Sequence, residues 1–318
     1  MPELPDLEDY LAALRPRMVD TTVTRIQVVG VSLLRTYDPP VDALVGAHVR
    51  AIDRLGKRLV WRLAPAGVRA PSGDVGGPEP WYLVVHLMIA GRLRWADPGA
   101  SPPRRIGLAA LEVSAPADPD VRGGTLLLTE AGTTRRATLH LVRGDAALAE
   151  HDRGGVEPLE VDRAGFEAQL RLERRTLKRV LTDPRRFAGI GNAYSDEILH
   201  AAGLSPVRRT DQLGDDEVAR LHAATQAVLA AWTARLREAT GAGFPAKVTA
   251  FRDGFAVHGR YGQPCPDCGT AVQRIRYADN ETNYCPRCQT DGRVLADRSL
   301  SRLLRDDWPA TIEALEGG

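Results

Sequence analysis

The sequence predicts an α+β chain of several parts: a β-rich N-terminal region with one helix, a helical middle, and a C-terminal module closed around a metal ion. Three observations carry this. Strand-like runs separated by turn-rich stretches fill the first half. Beyond Gly154-Gly155-Val156-Glu157-Pro158 the apolar spacing becomes helical. All four cysteines then fall within 24 residues, as Cys265-Pro-Asp-Cys268 and Cys285-Pro-Arg-Cys288.

The elements follow in order. Leu7, Tyr10, Leu11 and Leu14 recur at helical spacing, and Pro16 is expected to close that first helix. Strand signals follow at Thr22–Val29, Arg58–Leu63, Trp81–His86, Gly107–Val113, Thr125–Thr129 and Ala137–Val142. The Gly/Pro-rich stretch 64–80 reads as a mobile surface loop. This first region predicts a two-layer β structure with one helix. Helices are predicted at 162–172, 174–182, 191–202 and 215–239. The last carries Val218, Leu221, Val228, Leu229, Trp232 and Leu236 on one stripe, which is a core face. A further strand signal, Ala271–Tyr277, lies inside the cysteine module.

At 318 residues with 43% hydrophobic content, the chain is a folded protein of two or three domains. No apolar run reaches membrane-spanning length, and the acidic start Met1-Pro-Glu-Leu-Pro-Asp lacks an apolar targeting core, so a cytoplasmic location is expected. Net charge is only +1, but residues 171–187 hold seven Arg or Lys against two acids. Such a local excess builds a phosphate-facing surface that the whole-chain sum hides; an ordinary solvated helix face is the plainer alternative.

The C-x2-C-x16-C-x2-C spacing fits one tetrahedral Zn2+ held by Cys265, Cys268, Cys285 and Cys288. A closed four-thiolate shell leaves no position for water, so this metal builds structure. Two disulfides are the alternative, disfavoured where thiols stay reduced. Elsewhere the signals are individually weak. Removal of Met1 would expose the secondary amine of Pro2, which is partly uncharged at neutral pH, and such an amine attacks a sugar anomeric carbon as Schiff-base lysines attack carbonyls. Glu3 beside it could move protons; an ordinary helix start is the plainer reading. Lys57 sits at a turn before a strand, where it reaches a phosphate or a reacting sugar, or is merely solvated. Gly189-Ile-Gly191-Asn192 opens a helix whose first N–H groups, with the Asn192 amide, suit a backbone phosphate.

In combination and in this order, Pro2-Glu3-Leu-Pro, Lys57, Gly189-Ile-Gly-Asn192 and the cysteine set resemble the Fpg/Nei family of bifunctional DNA glycosylase/AP lyases, from Pro2 to about Gln289. The resemblance implies an N-terminal catalytic β-sandwich with the first helix over 1–150, a helix–two-turns–helix DNA-binding domain over 151–243, and a zinc-finger hairpin with a tail over 244–318. Damaged double-stranded DNA is the implied partner, bound by a nucleoid-associated monomer in the cleft between the halves. Pro2 is then the nucleophile toward C1′, Glu3 the general acid, and Lys57 a phosphate contact that assists elimination. Lys178 and Asn192 match phosphate-contacting positions of the helical domain.

The sequence departs from the family pattern at four places. Asn280 stands where the finger hairpin usually carries an arginine, and a short neutral side chain makes no bidentate clamp; Arg274 or Arg276 is the candidate substitute, and the second elimination step is in question. Asp279-Asn280 also suits a hairpin turn. Ile89 stands where an intercalating Met is expected, with Met88 next door as its replacement. Arg135 and Arg136 are kept in the second void-filling loop, but Ala137 replaces Phe. Asp6 replaces a Glu. A second reading keeps the scaffold and drops the chemistry, as a catalytically weak zinc-containing protein that binds lesions; a third takes the module as a generic zinc ribbon for protein contacts. The Pro2-Glu3 pair favours the enzyme, since a pure binder has no need of it.

Overall fold

The computed structural model describes residues 1–67, 79–114, 123–132, 134–277, 280–297 and 309–316. Much of the turn-rich stretch 64–80 lies outside the described residues, as does Asp279. The chain forms two compact units, the first of Met1–Arg153 with Thr233–Thr249 and the second of Gly154–Trp232 with Ala250–Gly318. The break at Gly154 coincides with the change of periodicity. The returning segment was not foreseen: the end of the long helix and the residues after it belong with the sheet. No helix among the described residues is long and apolar enough to cross a membrane.

The first unit opens with α1 (Leu4–Met18), followed by β1 (Thr22–Val28), β2 (His48–Leu55), β3 (Arg58–Ala64), β4 (Trp81–His86), β5 (Gly91–Ala96), β6 (Gly107–Ser114), β7 (Gly124–Glu130), β8 (Thr138–Arg143) and α2 (Gly144–Ala149). The strands form one sheet in the order β5-β7-β6-β1-β2-β3-β4-β8, each pair antiparallel. The sheet folds over on itself. Leu93 of β5 and Leu139 of β8 stand at opposite ends of that order, yet they line one apolar cavity of about 30 Å³ with Trp61 and Leu126. This is the two-layer arrangement predicted from the strand runs.

α1 closes the core. Leu7, Tyr10, Leu11 and Leu14 are buried against Ile52, Trp61 and Leu83 of the sheet. Pro16 does not end the helix, which runs on to Met18. Proline removes one donor and crowds the carbonyl four residues back; in the last turn that costs a single bond. Polar ties fix the helix to the sheet: Arg15 Nε donates to the Ile52 carbonyl at 2.8 Å, and Arg54 Nε pairs with Glu8. The returning segment packs here as well. Arg17 donates to the carbonyls of Ala242 and Gly243, Thr240 Oγ1 to Asp9, and the Phe244 ring lies 5.8 Å from that of Tyr10.

The second unit contains α3 (Arg163–Arg171), α4 (Leu177–Leu181), α5 (Asn192–Ala201), most of α6 (Asp215–Thr240), the hairpin β9 (Gln273–Arg276) with β10 (Glu281–Tyr284), α7 (Pro286–Thr290) and a last short helix, Ile312–Glu316. The helix predicted over 174–182 is shorter, because Thr176 is its extended N-cap. Val218, Leu221, Leu229 and Leu236 of the α6 stripe are buried, and Val228 and Trp232 half-buried.

Leu14 is fully buried beneath the sheet. Truncation to Ala is expected to destabilise the first unit by about 2–5 kcal/mol, read from urea unfolding followed by tryptophan fluorescence.

Candidate functional site

In the first unit, Glu3, Asp6, Lys57 and Arg92 are the charged residues whose fields act on the N-terminus. Pro2 and Glu3 are both buried, Glu3 only 4% exposed. Glu3 is the N-cap of α1, and its backbone N–H donates to Asp6 Oδ2 at 2.8 Å, which fixes the turn from terminus into helix. Burial lowers the pKa of the Met1 amine; Arg92 and Lys57 push it the same way, while Glu3 and Asp6 oppose them. The charges of two carboxylates and of two cations from separate elements therefore act on this amine.

Lys57 owes its place to a tight hairpin. Leu55 pairs with Arg58, so Gly56 and Lys57 alone form the turn, and Gly56 takes φ +58° ahead of the lysine, the glycine-first arrangement of a type II′ turn. Arg92 was not singled out in the sequence. Its Nε donates to the Val248 carbonyl at 2.7 Å and its Nη1 to those of Ile89 and Gly91, so it ties the loop after β4 to the returning segment.

That loop corrects one expectation. Met88 turns back in the left-handed region, with its sulfur against His86 Nδ1, and is half-buried. Ile89 is the residue that projects, 59% exposed. The loop closes tightly because Gly91 donates to the Leu87 carbonyl at 2.9 Å; a Cβ at Gly91 would stand 2.2 Å from that oxygen.

The second loop, between β7 and β8, is organised by buried Glu130. Its carboxylate accepts the backbone N–H groups of Arg136 and Ala137 at 2.9–3.0 Å. Ala137 is thereby buried in the core, while Arg135 and Arg136 are exposed; Arg135 Nη2 donates to the Arg105 carbonyl.

The second unit holds the remaining residues around α5. Gly191 is the N-cap and Asn192 the first helical residue, so Gly-Ile-Gly-Asn does open a helix. Its side chains are already engaged. Asn192 Nδ2 donates to the Glu281 carbonyl at 3.0 Å, and Lys178 Nζ donates to the Asn192 carbonyl and to Asp196 Oδ1, both at 2.6 Å. Asp196 is fully buried; its other oxygen meets His258 Nδ1 at 2.7 Å and Asn283 Nδ2 at 3.4 Å. Glu197 accepts three backbone N–H groups, from Ala256, Val257 and His258. The sequence held a signal for this network: Asn192, Asp196 and His200 form a polar stripe at i, i+4 and i+8 on a helix otherwise packed inside.

The four cysteine sulfurs lie within 4.8 Å of one another. Cys265 and Cys285 are buried, and none of the four forms a disulfide. Burial pushes the Cys285 thiol up to about 11, whereas at Cys268 burial is outweighed by hydrogen bonds, those from Thr270 first, which bring that thiol down to about 7; four thiolates this close together need a cation. The donor set fits a soft divalent metal in a closed tetrahedral shell. His200 Nε2 lies 3.3 Å from Cys265 Sγ, on the stripe just described. In the hairpin, Asn280 is exposed and its carbonyl accepts the Tyr277 N–H. Arg274 lies 4.2 Å over the Tyr261 ring and 3.4 Å from Glu281, whereas Arg276, on the same strand face, is exposed.

Comparison with known proteins agrees with this architecture. Three family descriptions match: the formamidopyrimidine-DNA glycosylase N-terminal domain over residues 1–190, its H2TH domain over 155–240, and the zinc finger found in FPG and IleRS over 262–290. A formamidopyrimidine-DNA glycosylase of Chloroflexus aggregans is 31% identical over 301 residues, covering 91% of this chain and 98% of that protein. One of Moorella thermoacetica is 34% identical over 291 residues, covering 87% and 95%. A formamidopyrimidine-DNA glycosylase-like protein of Mycobacterium tuberculosis is 45% identical over 129 residues, 41% of this chain and 80% of its own. The solved complex of Lactococcus lactis Fpg with DNA containing an abasic site has the same fold, with a TM-score of 0.72 at 23% identity, covering 91% of this chain and 99% of that one. Sheet unit, H2TH helices and four-cysteine finger together define the zinc-finger class of DNA glycosylases. Within that class, the chain belongs to the formamidopyrimidine-DNA glycosylase family.

Asp196→Asn tests the network of the second unit. Lys178, whose side chain is 12% exposed, would keep its charge and lose its counter-ion. A loss of about 3–5 kcal/mol is expected from thermal unfolding, because an uncompensated buried charge costs more than the intact pair contributes.

Proposed function

We propose that this protein is a base-excision glycosylase with AP lyase activity, which removes damaged, oxidised bases from double-stranded DNA and cuts the strand at the emptied site. The observation that carries the reading lies at the N-terminus: the buried Pro2 and the buried Glu3 carboxylate follow a Met1 amine whose proton affinity burial lowers and on which the charge of Lys57 acts. Those are the parts that iminium chemistry on a sugar requires.

In the mature chain, with Met1 removed, the Pro2 nitrogen is the nucleophile. A base must leave the stack before its sugar is within reach. Glu3 donates a proton to the ring oxygen as Pro2 attacks C1′; the base departs with the glycosidic electron pair, and a proton restores it. The resulting iminium makes the C2′ proton acidic. Its loss expels the 3′ phosphate, and water then releases the sugar fragment from Pro2. Lys57 holds the phosphate beside the lesion and stabilises the departing charge. Lys178 and Asn192 serve in a way their hydrogen bonds support: both hold α5 and the hairpin in place, and the helix N-terminus meets the backbone phosphate. Arg135 and Arg136, exposed on a loop pinned by Glu130, suit the DNA surface, and Ile89 takes the wedge role that Met88 was expected to fill. With Asn280 at the hairpin tip, the exposed Arg276 is the cation available for a phosphate there. The duplex is bound by one copy of the chain.

Zn2+ is the metal we assign to Cys265, Cys268, Cys285 and Cys288. When bound, it cross-links the two knuckles and takes no part in the chemistry.

Borohydride reduction during reaction with an oxidised-base duplex is expected to trap a covalent complex, and Pro2→Gly to abolish it. If no species is trapped across oxidised purine, oxidised pyrimidine and abasic duplexes, the lesion-binding alternative takes its place. Chelation, or Cys285→Ser, is expected to unfold the finger and to weaken duplex binding at least tenfold, since structural zinc contributes folding energy directly; metal content and binding are measured together. Unchanged affinity in metal-free protein would count against the finger as a DNA contact.

A further inference from the structure

The outer face of the sheet carries a cluster that the chemistry above does not use. Strand register fixes it. Arg58 pairs with His86 across β3 and β4, and His140 pairs with Val84, two residues from His86. Leu59, Val85 and Leu139 point into the core, so Arg58, His86 and His140 all point the other way. The chain leaving α2 returns over that face. The His151 ring meets His140 edge-on, with centroids 4.7 Å apart, and Arg153 follows it.

The electrostatics are one-sided. Arg58 is half-buried, and none of its guanidinium donors makes a hydrogen bond or ion pair among the described residues. Burial and then Arg153 lower its pKa; Asp152 is the acid opposing them. Burial, Arg58, Lys57, Arg153 and His140 hold His86 at about 4. Burial, His151, Arg58 and Arg35 hold His140 at about 4. His151 is lowered by burial, Arg58 and Arg153, against Glu150. At neutral pH the three imidazoles are therefore uncharged, and each offers one N–H. A half-buried guanidinium without an acceptor is unfavourable as it stands, and an oxyanion would satisfy it bidentately.

Lys57 relates this cluster to the reacting centre: its charge is felt both by the terminal amine and by His86. We propose that Arg58, with the ring N–H groups of His140 and His151, seats one phosphodiester of the DNA backbone, the next along the strand from the phosphate that Lys57 meets. The inference rests on the glycosylase reading and adds to it a second anchoring point, reached from the outer face of the sheet.

The test is the salt dependence of binding to a duplex containing a tetrahydrofuran abasic-site analogue. For Arg58→Gln, affinity is expected to fall about tenfold and the slope of log K against log salt to flatten by about one, the signature of one lost phosphate contact. Arg62→Gln removes an exposed charge on the same face of the same strand and should leave the slope as it is. Arg58→Lys should keep the slope and still bind more weakly, and His140→Asn with His151→Asn should weaken binding without changing the slope. Thermal unfolding of Arg58→Gln should be no earlier than wild type, since an unpaired charge has been removed. An unchanged slope in Arg58→Gln overturns the proposal, as does an equal change in Arg62→Gln, which would mark a diffuse field. If Arg58→Gln abolishes thermal stabilisation by inorganic phosphate while duplex binding is untouched, the seat takes a free anion and the proposal fails. Failure of the wild-type chain itself to bind the duplex takes the glycosylase reading down with it.

Discussion

Two adjacent carboxylates buried in α5 decide how the second unit is arranged. Asp196 faces Lys178 on one side and His258 and Asn283 on the other; Glu197 gathers three backbone N–H groups of the segment before the cysteine module. Neither carboxylate is exposed, so each must be satisfied by what surrounds it. That requirement places the Lys178 side chain, the hairpin and the segment leading to Cys265 in fixed relation to one helix. Asn192 at the start of α5 and His200 near its end extend the same face. The positions of Lys178 and Asn192 are thus set by contacts within the unit itself.

The first unit faces a similar problem at its N-terminus, where the chain becomes buried from Pro2 onward. An amine taken out of water favours its uncharged form, and the cations nearby add to that effect. Glu3 and Asp6 hold the opposite charge and share a helix start that fixes their geometry. The same turn starts α1, whose apolar face is fully buried against the sheet.

Much of this was legible in the sequence, for physical reasons that differ by element. β3, β4, β6 and β7 are near-continuous apolar runs, and the cysteine spacing permits few geometries. β2 was missed because a bulge between Val49 and Ala51 puts Val49 and Ile52 on one face three residues apart, which breaks the alternation. β5 was missed because it is an edge strand with Arg92 and Arg94 on one face and Leu93 its one fully buried apolar side chain. β10, Glu-Thr-Asn-Tyr, is polar and is held by pairing with β9 and by the Asn192 amide. The positions of Pro2, Glu3, Lys57 and the cysteines could be read locally. The partners of Lys178 and Arg92 could not, since they lie 18 and 156 residues away. Nor could the loop conformation that folds Met88 back and leaves Ile89 outside.

The apolar cavity inside the folded sheet has a mechanical consequence. Its walls are leucine, isoleucine, valine, alanine and tryptophan; Trp61 Nε1, unpaired among the described residues, is the one polar side-chain atom among them, and a held water needs about two to four polar partners, so the space stays dry in the native state. Unfolding abolishes that emptiness and shrinks the system. Hydrostatic compression should therefore favour the denatured form of this unit, and a methylene added to Ala109 would make it stiffer under load.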